Sequence, residues 1–462
     1  MATTVGDTCD LDLWLAPFLD VLGRKTRRTW APFYVRGLLG PGERKSLQPM
    51  AMQLGLGGHD QLQHFIASPA WDDAPLWTVL AHAADRMVGG PDAVLVIDDT
   101  ALPKTGTLSV GVTRQYCGQL GKRANCQALV SLTLAGKEVP VAVGLRLFLP
   151  DAWINDPDRC ATAGVPDAEI MSRSKSEIAL AELDRLQAAG VRFGTVLADA
   201  GYGASAAFRH GLQTRGLRWA VGIPRNQKVY GSDVQLIPAT GRQRRAVPDQ
   251  EPRTAEVVLA ERSWRRVTWR HGTKGALTAR FAAVRIRVGD GATFANNRHL
   301  PGQETWLVGE WRPSGERKYY LSNLPPRTSR RALVGAIKAR WVCEQGETGT
   351  RPRPLRRAFL DRAASTRADD LHRFCLFAAP APRRAWLDGA GGKYHPTFRH
   401  RHHRQACRPC AAPSSSGSSH PALLHSDVPT ASITSSRRSI LNCPGSASLC
   451  YSLNCLVTFR ND

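Results

Sequence analysis

The run Val94-Leu95-Val96-Ile97 passes directly into Asp98-Asp99-Thr100, and this step constrains the fold more than any other stretch of the chain. Four β-favouring apolar residues, bounded upstream by Pro91, predict a fully buried strand whose end lifts two carboxylates out of an apolar sheet. The design recurs about a hundred residues later, where Thr195-Val196-Leu197-Ala198 ends on Asp199 and the turn Ala200-Gly201-Tyr202-Gly203 follows. If the two strands are neighbours in one sheet, their acids converge at one edge, where open α/β sheets place their ligands. Converging carboxylates repel each other unless a cation lies between them, so the pattern predicts a hard-metal site.

The chain has 462 residues, enough to bury a substantial core and to form two or three domains. Its formal charge of +23 calls for a polyanion, an acidic membrane surface or a very acidic partner, with nucleic acid the leading candidate. No run of eighteen apolar residues occurs, and the segment from Met1 to Asp7 lacks the basic stretch of a signal peptide, so a cytoplasmic protein without a membrane partner is expected. Eleven scattered cysteines do not make a disulfide framework in a chain of this size, and no fixed-period repeat is present.

Taken in order, residues 1–90 read as a helical, basic module. Leu11, Trp14, Phe18 and Leu22 keep one apolar helix face, and Leu62, Phe65 and Ile66 another. Between them Arg24, Lys25, Arg27 and Arg28 form a basic cluster, either a solvated face or a grip on DNA phosphates. Residues 91–224 follow as strand, glycine-rich crossing, a hairpin turning at Ala135-Gly136-Lys137, a helix over Leu180–Ala189, the Asp199 strand, a helix from about Ala204 and a strand over Leu217–Ile223. That α/β order, a mixed sheet with helices, resembles the ribonuclease-H-like core. Residues 225–325 read as a β-rich insertion, with strands expected at Ala255–Leu259, Arg266–Trp269, Thr278–Ile286, Thr305–Val308 and Lys318–Leu321. Its tryptophans, Trp264, Trp269, Trp306 and Trp311, are expected in the core, or else one serves as a stacking platform for an unpaired base. A helix over Ser329–Gln345 completes the core within residues 326–345.

Asp98-Asp99-Thr100 with Pro103-Lys104, the block Ser109-Val110-Gly111-Val112, Gln115-Tyr116, Gly121-Lys122, Asn125-Cys126-Gln127, and Ala198-Asp199-Ala200-Gly201-Tyr202-Gly203 together resemble bacterial insertion-sequence transposases of the DDE class. The resemblance covers about Leu11 to Gln345. It implies a third acid on a helix after the β insertion, and Glu344 fits, with Arg340 four residues before it on the same helix face. It further implies Mg²⁺, for which Mn²⁺ would substitute, held by Asp98 or Asp99, by Asp199 and by Glu344. With such ions bound, the resemblance implies that activated water would cut a transposon end, freeing a 3′-hydroxyl that would then be aligned on a target phosphodiester. The implied partners are double-stranded DNA, as terminal inverted repeats and as target, and a second copy of the chain on paired ends. The implied setting is the bacterial nucleoid. Lys104, Arg114, Lys122 and Arg340 are the candidate phosphate contacts, with ordinary surface charge as the alternative for the first three. Which of Asp98 and Asp99 is the ligand stays open at this level, because only one side of a strand faces the site.

The chain departs from the family after Gln345. Gly346-Glu347-Thr348-Gly349-Thr350-Arg351-Pro352 breaks the helix, and residues 346–462 hold one glutamate and one lysine against sixteen arginines. Such a composition arises when a GC-rich gene is read out of frame, and moving one base forward permits a string similar to the family's continuation. A frameshift and a tail that folds poorly are therefore expected, leaving either an active transposase or a DNA-binding remnant without catalysis. A metal-dependent nuclease with a ribonuclease-H-like core is a further alternative. Cys407 and Cys410 have finger-like spacing, but no second pair follows at a workable distance, so zinc is not expected.

Overall fold

The computed structural model describes residues 5–40, 46–67, 72–136, 139–239, 246–272, 275–295 and 298–342. Helices α1 (Val5–Asp20), α2 (Lys25–Leu39), α3 (Leu47–Gln53), α4 (Asp60–Ala67) and α5 (Ala74–Val88) come first. Leu22, Tyr34, Met50, Leu62, Phe65 and Ile66 bury one another as a helical core. In α5, Leu80, Ala81 and Ala84 instead join Phe18 against the sheet, and the small alanines let the helix approach closely. No helix among the described residues is long and apolar enough to cross a membrane.

The sheet opens with β1 (Val94–Pro103), β2 (Thr113–Cys117), β3 (Lys122–Gly136) and β4 (Val139–Leu147). Short helices α6 (Asp151–Ile154) and α7 (Pro157–Thr162) precede α8 (Lys175–Ala188), β5 (Thr195–Ala198), α9 (Ala200–Gly203), α10 (Ala206–Thr214) and β6 (Trp219–Ile223). β3 lies antiparallel to β1 and also pairs with β2 and β4, while β5 runs parallel to β1 and β6 parallel to β5. This is a ribonuclease-H-like arrangement, with β1 at its centre. The strand expected to end at Asp98 continues to Pro103, because Asp98, Asp99 and Thr100 stay in register with Ser131, Val130 and Leu129 of β3. On the other side β5 stops at Ala198, so the acids emerge where β1 has lost one of its two neighbours.

β7 (Lys228–Gly231), β8 (Leu236–Ile237), β9 (Val247–Pro248), β10 (Arg253–Thr254), α11 (Ala255–Ala260), β11 (Arg265–Gly272), β12 (Gly275–Ala295), β13 (Arg298–Trp311), β14 (Arg317–Ser322) and α12 (Arg330–Lys338) complete the described elements. β14 pairs with β6, and the order β14-β13-β12-β7-β10 extends the core sheet rather than starting a new one. The strand expected over Ala255–Leu259 is helix α11 instead. Thr254 caps it by accepting from the Val257 N–H, and Ala255, Val258 and Leu259 are its buried face, a helical spacing that five consecutive apolar-rich residues conceal. Trp264 and Trp311 meet edge to face at 6.0 Å, as do Trp269 and Phe281 at 5.9 Å, so these rings pack within the protein. α12 ends at Lys338, and a turn at residues 339–340 interrupts the continuous helix expected through Gln345.

Candidate active site

The parallel register of β1 and β5 sets Ile97 beside Ala198, so Asp98 and Asp199 leave adjacent strands at the same level. Alternation along β1 then separates its two acids. Leu95 and Ile97 face the core shared with α5, α8 and α10, whereas Val96 faces Leu197, Ala220 and the α12 residues Leu333, Val334 and Ile337. Asp98 follows the parity of Val96 and Asp99 that of Ile97, and their partners divide accordingly.

Asp98 Oδ2 accepts from Arg340 Nη1 at 2.5 Å, and its Oδ1 accepts from the Asp99 backbone N–H at 2.9 Å. Burial pushes the Asp98 carboxyl above its ordinary range. The Arg340 guanidinium opposes that rise, and the neighbouring Asp199 carboxylate adds to it. Asp99 is held from the other face. Lys175 Nζ donates to its Oδ2 at 2.5 Å and Tyr202 Oη to its Oδ1 at 2.6 Å, so both oxygens are engaged. Lys175 also lies 5.3 Å from the Phe148 ring centroid, which fixes its approach.

Asp199 caps α9, its Oδ1 accepting from the N–H groups of Gly201 at 2.9 Å and Tyr202 at 3.3 Å. The turn sits directly on β6: a Cβ at Gly203 would lie 2.0 Å from the Gly222 carbonyl oxygen, so only glycine allows this approach. Tyr202 is thereby aimed back at Asp99. Burial, then the charges of Asp99, Asp199 and Asp98, push its phenol well above its ordinary value, so it is a fixed hydrogen-bond donor.

Hard carboxylate oxygens of Asp98 and Asp199 suit a divalent cation of the Mg²⁺ class. Among the described residues, no three His, Cys, Asp or Glu side chains form a complete metal cage, so a ligand set here needs a further donor. Glu344 lies outside the described residues, as do the histidines and cysteines of residues 400–410 and the whole segment after Gln345. Arg340, expected to steady Glu344 or a phosphate, is turned onto Asp98.

The remaining predicted residues spread over two regions. Arg24, Lys25 and Arg28 are exposed and Arg27 half-buried at the start of α2, distant in sequence from the acids. Arg114 and Lys122 are exposed on the β2–β3 hairpin, and Lys104 is half-buried just beyond β1. The polar block between them turns out to pin a loop. Asn125 Nδ2 donates to the carbonyls of Lys104 and Gly106, Gln127 Nε2 to Val110, and Trp153 Nε1 to Val112. Sequence reasoning gave Lys175 no role, although a signal was present. Ser174 and Glu177 form a capping box that starts α8 earlier than Leu180 and places Lys175 in its first turn.

Comparison with known proteins agrees with this architecture. Residues 17–276 match the model of a family described as DDE superfamily endonuclease. Over 196 residues the chain is 30% identical to a protein of Microchaete diplosiphon described as a probable transposase for insertion sequence element IS701. That match covers 42% of this chain and 48% of the relative, so the chain spans about half the length of the curated relative it matches.

Proposed function

We propose that this chain, which belongs to the DDE superfamily of endonucleases, cuts DNA at the terminal inverted repeats of a transposon and joins the freed ends to target DNA. The observation that carries this reading is the adjacency of Asp98 and Asp199 across the β1–β5 pair, with Arg340 directed at Asp98 from beyond α12. In this reading Asp98, rather than Asp99, is the ligand on β1, because it shares with Asp199 the side reached by Arg340. Asp99 is a positioning residue, tied to Lys175 and Tyr202 on the opposite face. Asp98, Asp199 and Glu344 would hold Mg²⁺, or Mn²⁺ in its place. Bound divalent ions supply a nucleophile from water at neutral pH and neutralise the charge gathering on the phosphate.

The protein's own groups have separate tasks. Asp199, locked by two backbone N–H groups, keeps a fixed orientation without side-chain reorganisation. Arg340 can exchange the Asp98 carboxylate for a non-bridging phosphate oxygen as substrate arrives, since a guanidinium serves either anion. Exposed Arg114 and Lys122, with Lys104, would contact the DNA backbone along the β2–β3 hairpin, and the α2 cluster of Arg24, Lys25, Arg27 and Arg28 would grip it as well. Two copies of the chain would act on paired ends.

A second reading has its own observation: Arg340 already satisfies the cation demand of Asp98, which favours a DNA-binding remnant without catalysis. Residues after Gln345, with their arginine-rich composition, support a lost reading frame as the cause. Incubating the full chain with Mg²⁺ and a labelled inverted-repeat duplex tests both. Cleavage that Asp98→Asn abolishes supports the transposase, and retention without cleavage supports the remnant. The gene's nucleotide sequence across the codons of Gln345 to Arg353 tests the frame: it must resume the family pattern one base away.

A further inference from the structure

A concavity of about 570 Å³ lies between β11 and the start of α12, remote in sequence from the acids. Its lining includes Arg265, Arg266, Arg270, His271, Arg330 and Arg331, and no carboxylate among the described residues belongs to it. Several arginines elsewhere are neutralised, as in Arg215 with Asp184, Arg298 with Glu251 and Arg192 with Asp85. Here Arg265, Arg266, Arg330 and Arg331 form no ion pair with any described carboxylate, and the Arg330 Nε is buried with no hydrogen-bond partner among the described residues.

The local structure makes this crowding more costly. Arg330 and Arg331 occupy the first turn of α12, where the helix dipole already presents positive charge and where no acidic residue offsets it. β11 pairs only with β12 among the described strands, so the N–H groups of its second edge are available as donors beside these guanidinium groups, alternating with carbonyls. Four like charges and the positive end of a helix repel one another unless an anion of high charge density joins them.

We propose that this concavity is a further DNA contact, beyond the α2 cluster and the β2–β3 hairpin, which takes consecutive phosphates of a backbone whose scissile part lies at the acids. The inference rests on the reading of DNA as substrate and adds where the duplex runs. From Arg330 to Lys338 α12 advances roughly 12 Å at helical rise, or about three to four base pairs of duplex, and Arg340 follows two residues on. One duplex therefore reaches both ends of α12.

The test uses the full chain and a double-stranded oligonucleotide of arbitrary sequence, with affinity followed against salt. The triple variant Arg265→Gln, Arg266→Gln, Arg331→Gln is expected to flatten the slope of log K against log [salt] by about 2 to 3, close to 0.9 for each lost phosphate contact. The matching triple lysine variant keeps the charge and is expected to retain the slope, which separates lost contacts from lost folding. An unchanged slope in the glutamine variant overturns the inference while leaving cleavage by the wild type, and the proposed function, intact. A flattened slope in a chain that never cuts DNA upholds the inference and sinks the catalytic reading. A wild-type chain that binds no DNA overturns both.

Discussion

At and just past its C-terminal end α12 delivers cations to acids: Lys338 donates to the buried Glu310 at 2.8 Å, and Arg340 reaches Asp98 at 2.5 Å. At its N-terminal end Arg330 and Arg331 stand beside Arg265 and Arg266 with no described acid among them. Charge of one sign is spent on internal geometry in the first region and left available in the second. Paired charges hold a shape, and their removal should damage the fold or the chemistry. Unpaired ones strain the apo protein slightly and favour an incoming polyanion, so their removal should weaken binding and spare the fold.

The largest effect is expected at Asp98. Asp98→Asn takes away one hard oxygen donor, and a loss of several kcal/mol of transition-state stabilisation lowers strand cleavage about a thousand-fold. DNA affinity at fixed salt should stay within a few-fold of wild type. Equal loss of cleavage and of binding would break the distinction between the two regions, and gel-based cleavage beside anisotropy reads both.

Glu310 tests the structural side of the paired region. It accepts from Lys338, from Arg312 Nε at 3.2 Å and from Tyr320 Oη at 2.8 Å while being 1% exposed. Burial pushes its carboxyl up, but Lys338, Tyr320 and Arg312 together outweigh burial and hold it below the ordinary carboxylate range. A depressed folded-state pKa gives stability that is present above the unfolded value, near 4.3, and lost as pH falls through the folded value. Glu310→Gln should therefore cost about 3 kcal/mol at neutral pH, with the gap to wild type closing below about pH 4. Urea unfolding at pH 7 and pH 3.5 measures it, and a gap that widens on acidification would contradict the assignment.

The third effect is smaller, because it acts through another residue. Lys175→Met and Tyr202→Phe each free one oxygen of Asp99, and supporting contacts of this kind are worth about 10- to 100-fold in activity. The loss should appear in kcat more than in KM, and Tyr202→Phe should leave the unfolding midpoint almost unmoved. A change confined to KM would place both residues at the DNA surface instead.

The comparison also separates what sequence can carry from what it cannot. The acid pair was legible because Val94–Ile97 and Thr195–Ala198 are short apolar runs that each end on aspartate, and buried parallel neighbours require just that texture. Continuation of β1 past Asp98 was hidden, since polar residues on a strand flanked by β3 alone look like a loop. α11 was hidden because Val257, Val258 and Leu259 favour strands in isolation, and only the Thr254 cap and the buried face reveal a helix. Lys175 was recoverable from its capping box. The Glu310–Lys338 and Arg340–Asp98 pairs were not, since partners 28 and 242 residues apart leave no local trace. The arginine concavity was equally hidden: Arg265 and Arg331 become neighbours only when α12 folds back along β11.

Arg331→Glu gives the smallest and most discriminating outcome. The residue is exposed in the first turn of α12, where a carboxylate suits the dipole and a guanidinium does not, and Arg330 is the adjacent cation. On local grounds the substitution should stabilise the chain by about 0.5 kcal/mol, seen as a small rise in the unfolding midpoint. It should also weaken duplex binding at low salt by more than Arg331→Gln does, because an anion then stands where a phosphate would lie. Stability and affinity moving in opposite directions is what a position kept for a ligand predicts. If the variant were less stable and bound DNA unchanged, Arg331 would belong with the structurally paired cations, and the contrast between the two ends of the helix would dissolve.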